Sequence, residues 1–138
     1  MKKAVVVYQS KTGRTQKLGE EIGKYLTSKG FETNTIPVTA YRKGLAESAD
    51  VVLLGCWTAG LMLLFQHPDK VWGSFAQSLP LLKGKTGLFT TYRIATGSMF
   101  KSMRKRLTET GSDFSMELKS KSDRLSDAHK KLLDGLVD

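Results

Sequence analysis

Three uninterrupted apolar runs, AVVVY at 4–8, VVLLG at 51–55 and GLFTT at 87–91, constrain this chain more than any other feature. Strands with so little polar alternation are covered on both faces, which happens where helices pack on each side of a parallel sheet. Shorter or more polar strand candidates lie at Glu32 to Ile36 and Phe114 to Leu118. Helical spacing fills the intervals. Leu18, Ile22, Tyr25 and Leu26 mark a helix from Thr15 to Lys29 with Gly30 as its stop, and Phe100, Met103 and Leu107 mark another closed by Gly111. Leu125, Ala128, Leu132 and Leu136 predict a C-terminal helix with Ser122 as N-cap and Asp123 in its first turn. Tyr41 to Ser48 and Pro68 to Leu79 are further helix candidates. Strand and helix alternate throughout with no repeat, low-complexity tract or linker, so residues 1–138 read as one α/β unit with a parallel sheet.

Composition removes several function classes. No apolar run reaches the roughly 18–20 residues of a membrane span, and MKKAVVVYQS turns polar too early for a secretory signal, so a cytoplasmic protein without a membrane span is expected. The single cysteine, Cys56, has no internal disulfide partner, and His67 and His129 stand alone, so no metal site is expected. The net charge of +9 raises the question of an acidic partner. Its densest group, Lys101, Arg104, Lys105 and Arg106, falls on one predicted helix and reads as a solvated face. Without zinc-finger spacing or an RNP-like motif, nucleic acid is not the expected partner.

In an open parallel sheet, ligands bind beyond the carboxyl ends of the strands. The segments there are SKTGRT after strand one, CWTAGLMLLFQHPD after strand three and TYRIATG after strand four. SKTGRT sets the hydroxyls of Ser10, Thr12 and Thr15 beside the unpaired N–H groups of a helix N-terminus, with Lys11, Gly13 and Arg14 between them. Such a turn suits a phosphate; an N-cap alone needs only one hydroxyl. It lacks the closing Gly-Lys-Ser/Thr of a P-loop and the three spaced glycines of a Rossmann turn. Trp57, followed by Thr58, Ala59 and Gly60, is placed to meet a planar ring, and Tyr92 after Thr91 is a second candidate. Leu61 to Phe65 read as a buried turn, a dimer seam or a surface that something flat or apolar covers.

These residues resemble the flavodoxin family. SKTGRT matches its phosphate-loop pattern Thr/Ser-x-Thr-Gly-x-Thr at every defined position, and GCWTAG and TYRIATG are similar to its two flavin-flanking loops. GCWTAGLMLLFQHPD further resembles a bacterial group of flavodoxin-like proteins carrying Gly-x-Trp-Thr-x-Gly-Leu. The resemblance spans about the whole chain. It implies a flavodoxin-like three-layer sandwich with a five-stranded parallel sheet in the order 2-1-3-4-5 and non-covalent FMN at the strands' carboxyl ends. It places Ser10, Lys11, Thr12, Gly13, Arg14 and Thr15 around the phosphate. Trp57, Thr58, Ala59 and Gly60 would flank one side of the ring, and Thr91, Tyr92, Arg93 and the loop to Gly97 the other.

The chain departs from familiar members of that family in being basic, in carrying Lys11 and Arg14 within the phosphate loop, and in having no carboxylate in TYRIATG. Trp57 also sits slightly earlier than the usual ring-flanking residue, which leaves Ala59 there. The reading adopted is an FMN electron carrier that meets redox partner proteins with acidic surfaces. The alternatives are an FMN-dependent oxidoreductase of the quinone or porphyrinogen type and a flavin-free binding protein.

Overall fold

The structure, a computed structural model, describes residues 1–61 and 64–138, without the side chains of 60, 61 and 64–66. Met62 and Leu63 of the apolar second loop lie outside the described residues. Five parallel strands form the main sheet: β1 (Lys3–Gln9), β2 (Glu32–Pro37), β3 (Val51–Trp57), β6 (Lys85–Thr91) and β7 (Met116–Ser120). They lie in the order β2-β1-β3-β6-β7, which is the predicted 2-1-3-4-5. Between β3 and β6 the chain makes a short antiparallel pair, β4 (Ala59–Leu61) and β5 (Leu64–His67), where sequence reasoning expected only a loop.

Period-two alternation sends the strand side chains to two separate cores. Ala4, Val6, Tyr8, Val51, Leu53, Phe89 and Leu118 pack against α1 (Arg14–Ser28) and α4 (Asp127–Val137) through Leu18, Ile22, Leu26 and Leu133. Val5, Val7, Val52, Leu54 and Leu88 face α2 (Lys70–Gln77) and α3 (Met99–Lys105) through Trp72, Phe75, Met99 and Met103. In the first of these layers the Phe89 ring lies where a side chain on Gly55 would be, so a Cβ at 55 would collide with it.

Several boundaries correct the expectations. Tyr41 to Ser48 is a run of turns and not a helix, because Gly44 takes φ 99° and breaks the helical path. The last helix is capped by Ser126, not Ser122. Ser126 Oγ accepts from the His129 N–H, and His129 Nδ1 accepts from the Ser126 N–H. Ser120 and Ser122 instead cap local turns, accepting from the N–H groups of Ser122 and Arg124. Leu133 is the buried residue of that helix, whereas Leu132 is exposed. The final strand begins at Met116, since Phe114 is left-handed (φ 46°), its carbonyl held by Arg104 Nε and Nη2 at 3.2 and 3.0 Å. α3 stops at Lys105, so Leu107 and Gly111 flank a 3-10 turn (Thr108–Thr110) and do not belong to the helix. The predicted Pro68 to Leu79 helix is α2, shorter at both ends.

Candidate functional site

Because all five main strands run the same way, Gln9, Trp57, Thr91 and Ser120 end at one edge. Gly13 turns the chain there, at φ 93° and ψ −9°, with its N–H donating to Ser10 Oγ at 3.0 Å. Its carbonyl accepts from the Lys17 N–H at 3.0 Å and opens α1. Among the described residues no side chain caps this end, and no acidic residue lies in the first turn, so the leading N–H groups and the positive end of the dipole face outward. Thr12 and Lys11 are exposed, and Arg14 is half-buried. Thr15 differs from them. Its side chain is buried, and its Oγ1 lies 2.6 Å from Thr91 Oγ1 on β6.

At the end of β3, the Trp57 indole Nε1–H donates to Asp69 Oδ2 at 2.8 Å, and Lys11 Nζ lies 4.8 Å from the ring centroid. Thr58 is tied to β6 twice: its N–H donates to the Thr91 carbonyl at 3.0 Å, and its Oγ1 lies 2.8 Å from Thr90 Oγ1. Thr90 Oγ1 donates to the Cys56 carbonyl at 2.5 Å. Hydroxyls thus join the loops after β1 and β3 through β6. Burial pushes the Cys56 thiol far up from its ordinary range, which keeps it protonated and inert. After β6, the Tyr92 N–H donates to the Ser120 carbonyl at 3.1 Å, and Lys121 Nζ sits 5.9 Å from the Tyr92 ring.

Lys11, Thr12, Arg14, Trp57, Thr58, Thr91, Tyr92 and Arg93 line one cleft of about 490 Å³. That is within the roughly 300–1,000 Å³ of small-molecule sites. Among the described residues, three cations and no carboxylate, imidazole or thiol line it. Of the other expected site residues, Ser10, Gly13 and Thr15 belong to the same turn without lining the cleft. Ala59 pairs with His67 in the hairpin, and Gly60 is described only as part of β4. Gly97 is exposed, with φ 48°, just before α3. Sequence reasoning missed Asp69, Gln9 and Thr90. Asp69 before a short helix was legible as an N-cap, but its bond to Trp57 depends on the fold.

An uncapped helix N-terminus with the exposed Thr12 hydroxyl and cations, opening on the same cleft as two aromatic rings, fits a flat heteroaromatic phosphate ester. Among the described residues no group of His, Cys, Asp or Glu is placed to hold a metal ion. None of the described helices is long and apolar enough to cross a membrane.

A family model described as a flavodoxin domain matches residues 5–92. The flavodoxin of Megasphaera elsdenii is 32% identical over 107 residues, 77% of this chain and 77% of that protein. The solution structure of the two-electron reduced flavodoxin of that organism aligns with TM-score 0.73 at 22% identity, over 94% of each chain. Oxidised Flavodoxin 1 from Bacillus cereus aligns with TM-score 0.71 at 19% identity, over 96% of this chain and 94% of that one. At those identities the two structures speak for the fold.

Proposed function

The chain belongs to the flavodoxin family of FMN-binding electron-transfer proteins, and we propose that its FMN is held in the cleft at the carboxyl edge of the sheet. When bound, FMN supplies the one- and two-electron redox chemistry. The chain's residues hold and orient it. The Thr12 hydroxyl, the first N–H groups of α1 and the Lys11 and Arg14 cations bind the phosphate, and Ser10, whose Oγ accepts from the Gly13 N–H, shapes the turn that presents them. Thr15 serves that loop from behind, where Thr91 fixes its hydroxyl. Trp57 with Thr58, and Tyr92 with Arg93, form the two walls beside the ring system.

One observation carries this reading: the uncapped N-terminus of α1 opens onto the cleft that contains Trp57 and Tyr92. Purified protein is expected to show flavin absorbance near one FMN per chain, or to acquire it on adding FMN. A chain that neither retains nor takes up FMN refutes the assignment.

The chain passes electrons to redox partner proteins, and the proposal extends to partners with acidic surfaces. Lys11, Arg14 and Arg93 at the cleft and Lys121 beside Tyr92 provide the complementary charge. Arg104 is committed elsewhere, to the Phe114 carbonyl and Glu117. Electron-transfer rates should fall as salt shortens the Debye length from roughly 10 Å at 0.1 M, and rates that stay flat with ionic strength argue against acidic partners. Residues 1–138 act as one unit in this reading. The cytoplasm suits the buried, unpaired Cys56.

A further inference from the structure

Asp69 makes more bonds than a helix cap needs. Its Oδ1 accepts from the Trp72 N–H at 2.9 Å, which caps α2. Its Oδ2 accepts from two side chains, the Trp57 indole at 2.8 Å and the Gln9 amide at 3.1 Å. Gln9 and Trp57 are the last residues of β1 and β3, so one oxygen ties together the two strand ends on which the cleft stands. Asn caps a helix as well as Asp does. Only a carboxylate can meet donors on both oxygens, because an amide would present N–H to the indole N–H.

We propose that Asp69 is a positioning residue for the flavin site, its second oxygen holding the Trp57 indole as a fixed wall of the cleft. This rests on the reading that the cleft binds FMN. Trp57 is half-buried at a strand end, and without that bond its ring is free to leave the position it shares with Lys11. Immobilising such a side chain on binding costs a few-fold to about tenfold in affinity, which a pre-held ring does not lose. Asp69 itself does not line the cleft, so its effect passes through Trp57.

Asp69→Asn separates this role from the cap. The Asn oxygen keeps the bond from Trp72, so the cap of α2 is retained and the apoprotein should lose less stability than Asp69→Ala, which loses the cap as well. Its amide offers the indole no acceptor. A bond from the indole to a charged acceptor is worth a factor of about 10–100 in local opening, so the Trp57 Nε1–H should exchange with solvent at least about tenfold faster by NMR. FMN and riboflavin should both bind about three- to tenfold more weakly and by the same factor, because the phosphate is not involved. Combining Asp69→Asn with Trp57→Phe should bind no more weakly than Trp57→Phe alone. Unchanged indole exchange, unchanged affinity for both flavins, or multiplying effects in the double variant would each overturn the proposal. If the wild type takes up neither flavin, the reading of the cleft fails, while indole exchange in the apoprotein still decides whether Asp69 holds Trp57.

Discussion

The hydroxyls of SKTGRT occupy unlike environments, so conservative substitutions at Thr12 and Thr15 should behave differently. Thr15→Val keeps the shape and deletes one of two hydroxyls 2.6 Å apart, at positions 1% and 5% exposed. Thr91 Oγ1 is then left without its partner, and an unsatisfied buried hydroxyl costs about 1–3 kcal/mol. In a domain of this size each kcal/mol moves the melting temperature by roughly 3–5 °C, so apo Thr15→Val should melt roughly 3–15 °C lower. Thr15→Val with Thr91→Val removes both partners and should recover most of that loss. Thr12 is exposed, and Thr12→Val should leave stability within about 0.5 kcal/mol. Its effect falls on the ligand. Loss of one hydrogen bond to a charged phosphate, about 1.5–3 kcal/mol, weakens FMN roughly 10–100-fold and riboflavin hardly at all. Thermal unfolding of the apoproteins and titration with both flavins decide the matter. The reasoning fails if Thr15→Val is as stable as Thr12→Val, if the double variant sums the two losses, or if Thr12→Val weakens both flavins alike.

Gly55→Ala places a methyl group inside the Phe89 ring and should destabilise the protein by about 1–3 kcal/mol or more, measured by urea unfolding; a loss below about 0.5 kcal/mol would mean that the ring moves freely. Lys11→Gln with Arg14→Gln removes two cleft cations, so FMN affinity should fall more than riboflavin affinity, and the reduction potential of bound flavin should shift downward at low salt; indistinguishable potentials would show the cations fully screened. The hydrogen bond from Tyr25, at 2.5 Å, and then the Lys29 ammonium hold Asp134 below the usual carboxylate range. A depressed carboxylate contributes stability above its unfolded value of about 4 and loses it as pH falls through the folded one. Tyr25→Phe should therefore be less stable than wild type at pH 7, with the difference shrinking toward pH 2; a constant difference in urea midpoints across that range would argue against the pair.

How much of this was legible in advance depends on the range of the interaction involved. The runs AVVVY, VVLLG and GLFTT name their own strands, because burial on both faces leaves a continuous apolar signal. SKTGRT likewise locates the uncapped start of α1 from local chemistry. Failures occurred where neighbours compete or distant groups decide. Ser122 and Ser126 are both plausible caps by type, and the choice is made by Ser122 serving the Arg124 N–H while His129 completes the box at Ser126. Gly44, at φ 99°, turns the chain within Tyr41 to Ser48, and a single glycine signals such a turn only weakly. Phe114 in a left-handed conformation gives no local sign, since the Arg104 guanidinium that holds its carbonyl comes from another element. The same distance hid Asp69, which sits 12 residues from Trp57 and 60 from Gln9 in the chain. It also hid the pairing of Thr15 with Thr91, although each was expected at the site separately.

The central claim is that the start of α1 holds a phosphate and the rings beside it hold a flavin. Fluorescence titration of the apoprotein with FMN and with riboflavin tests both halves at once. The account predicts saturation at one flavin per chain for each ligand, with FMN bound at least about 100-fold more tightly, as expected for two or more charge-assisted hydrogen bonds to the phosphate. Equal affinities would contradict the assignment of the α1 terminus to the phosphate, and no binding of either would contradict the flavin site itself.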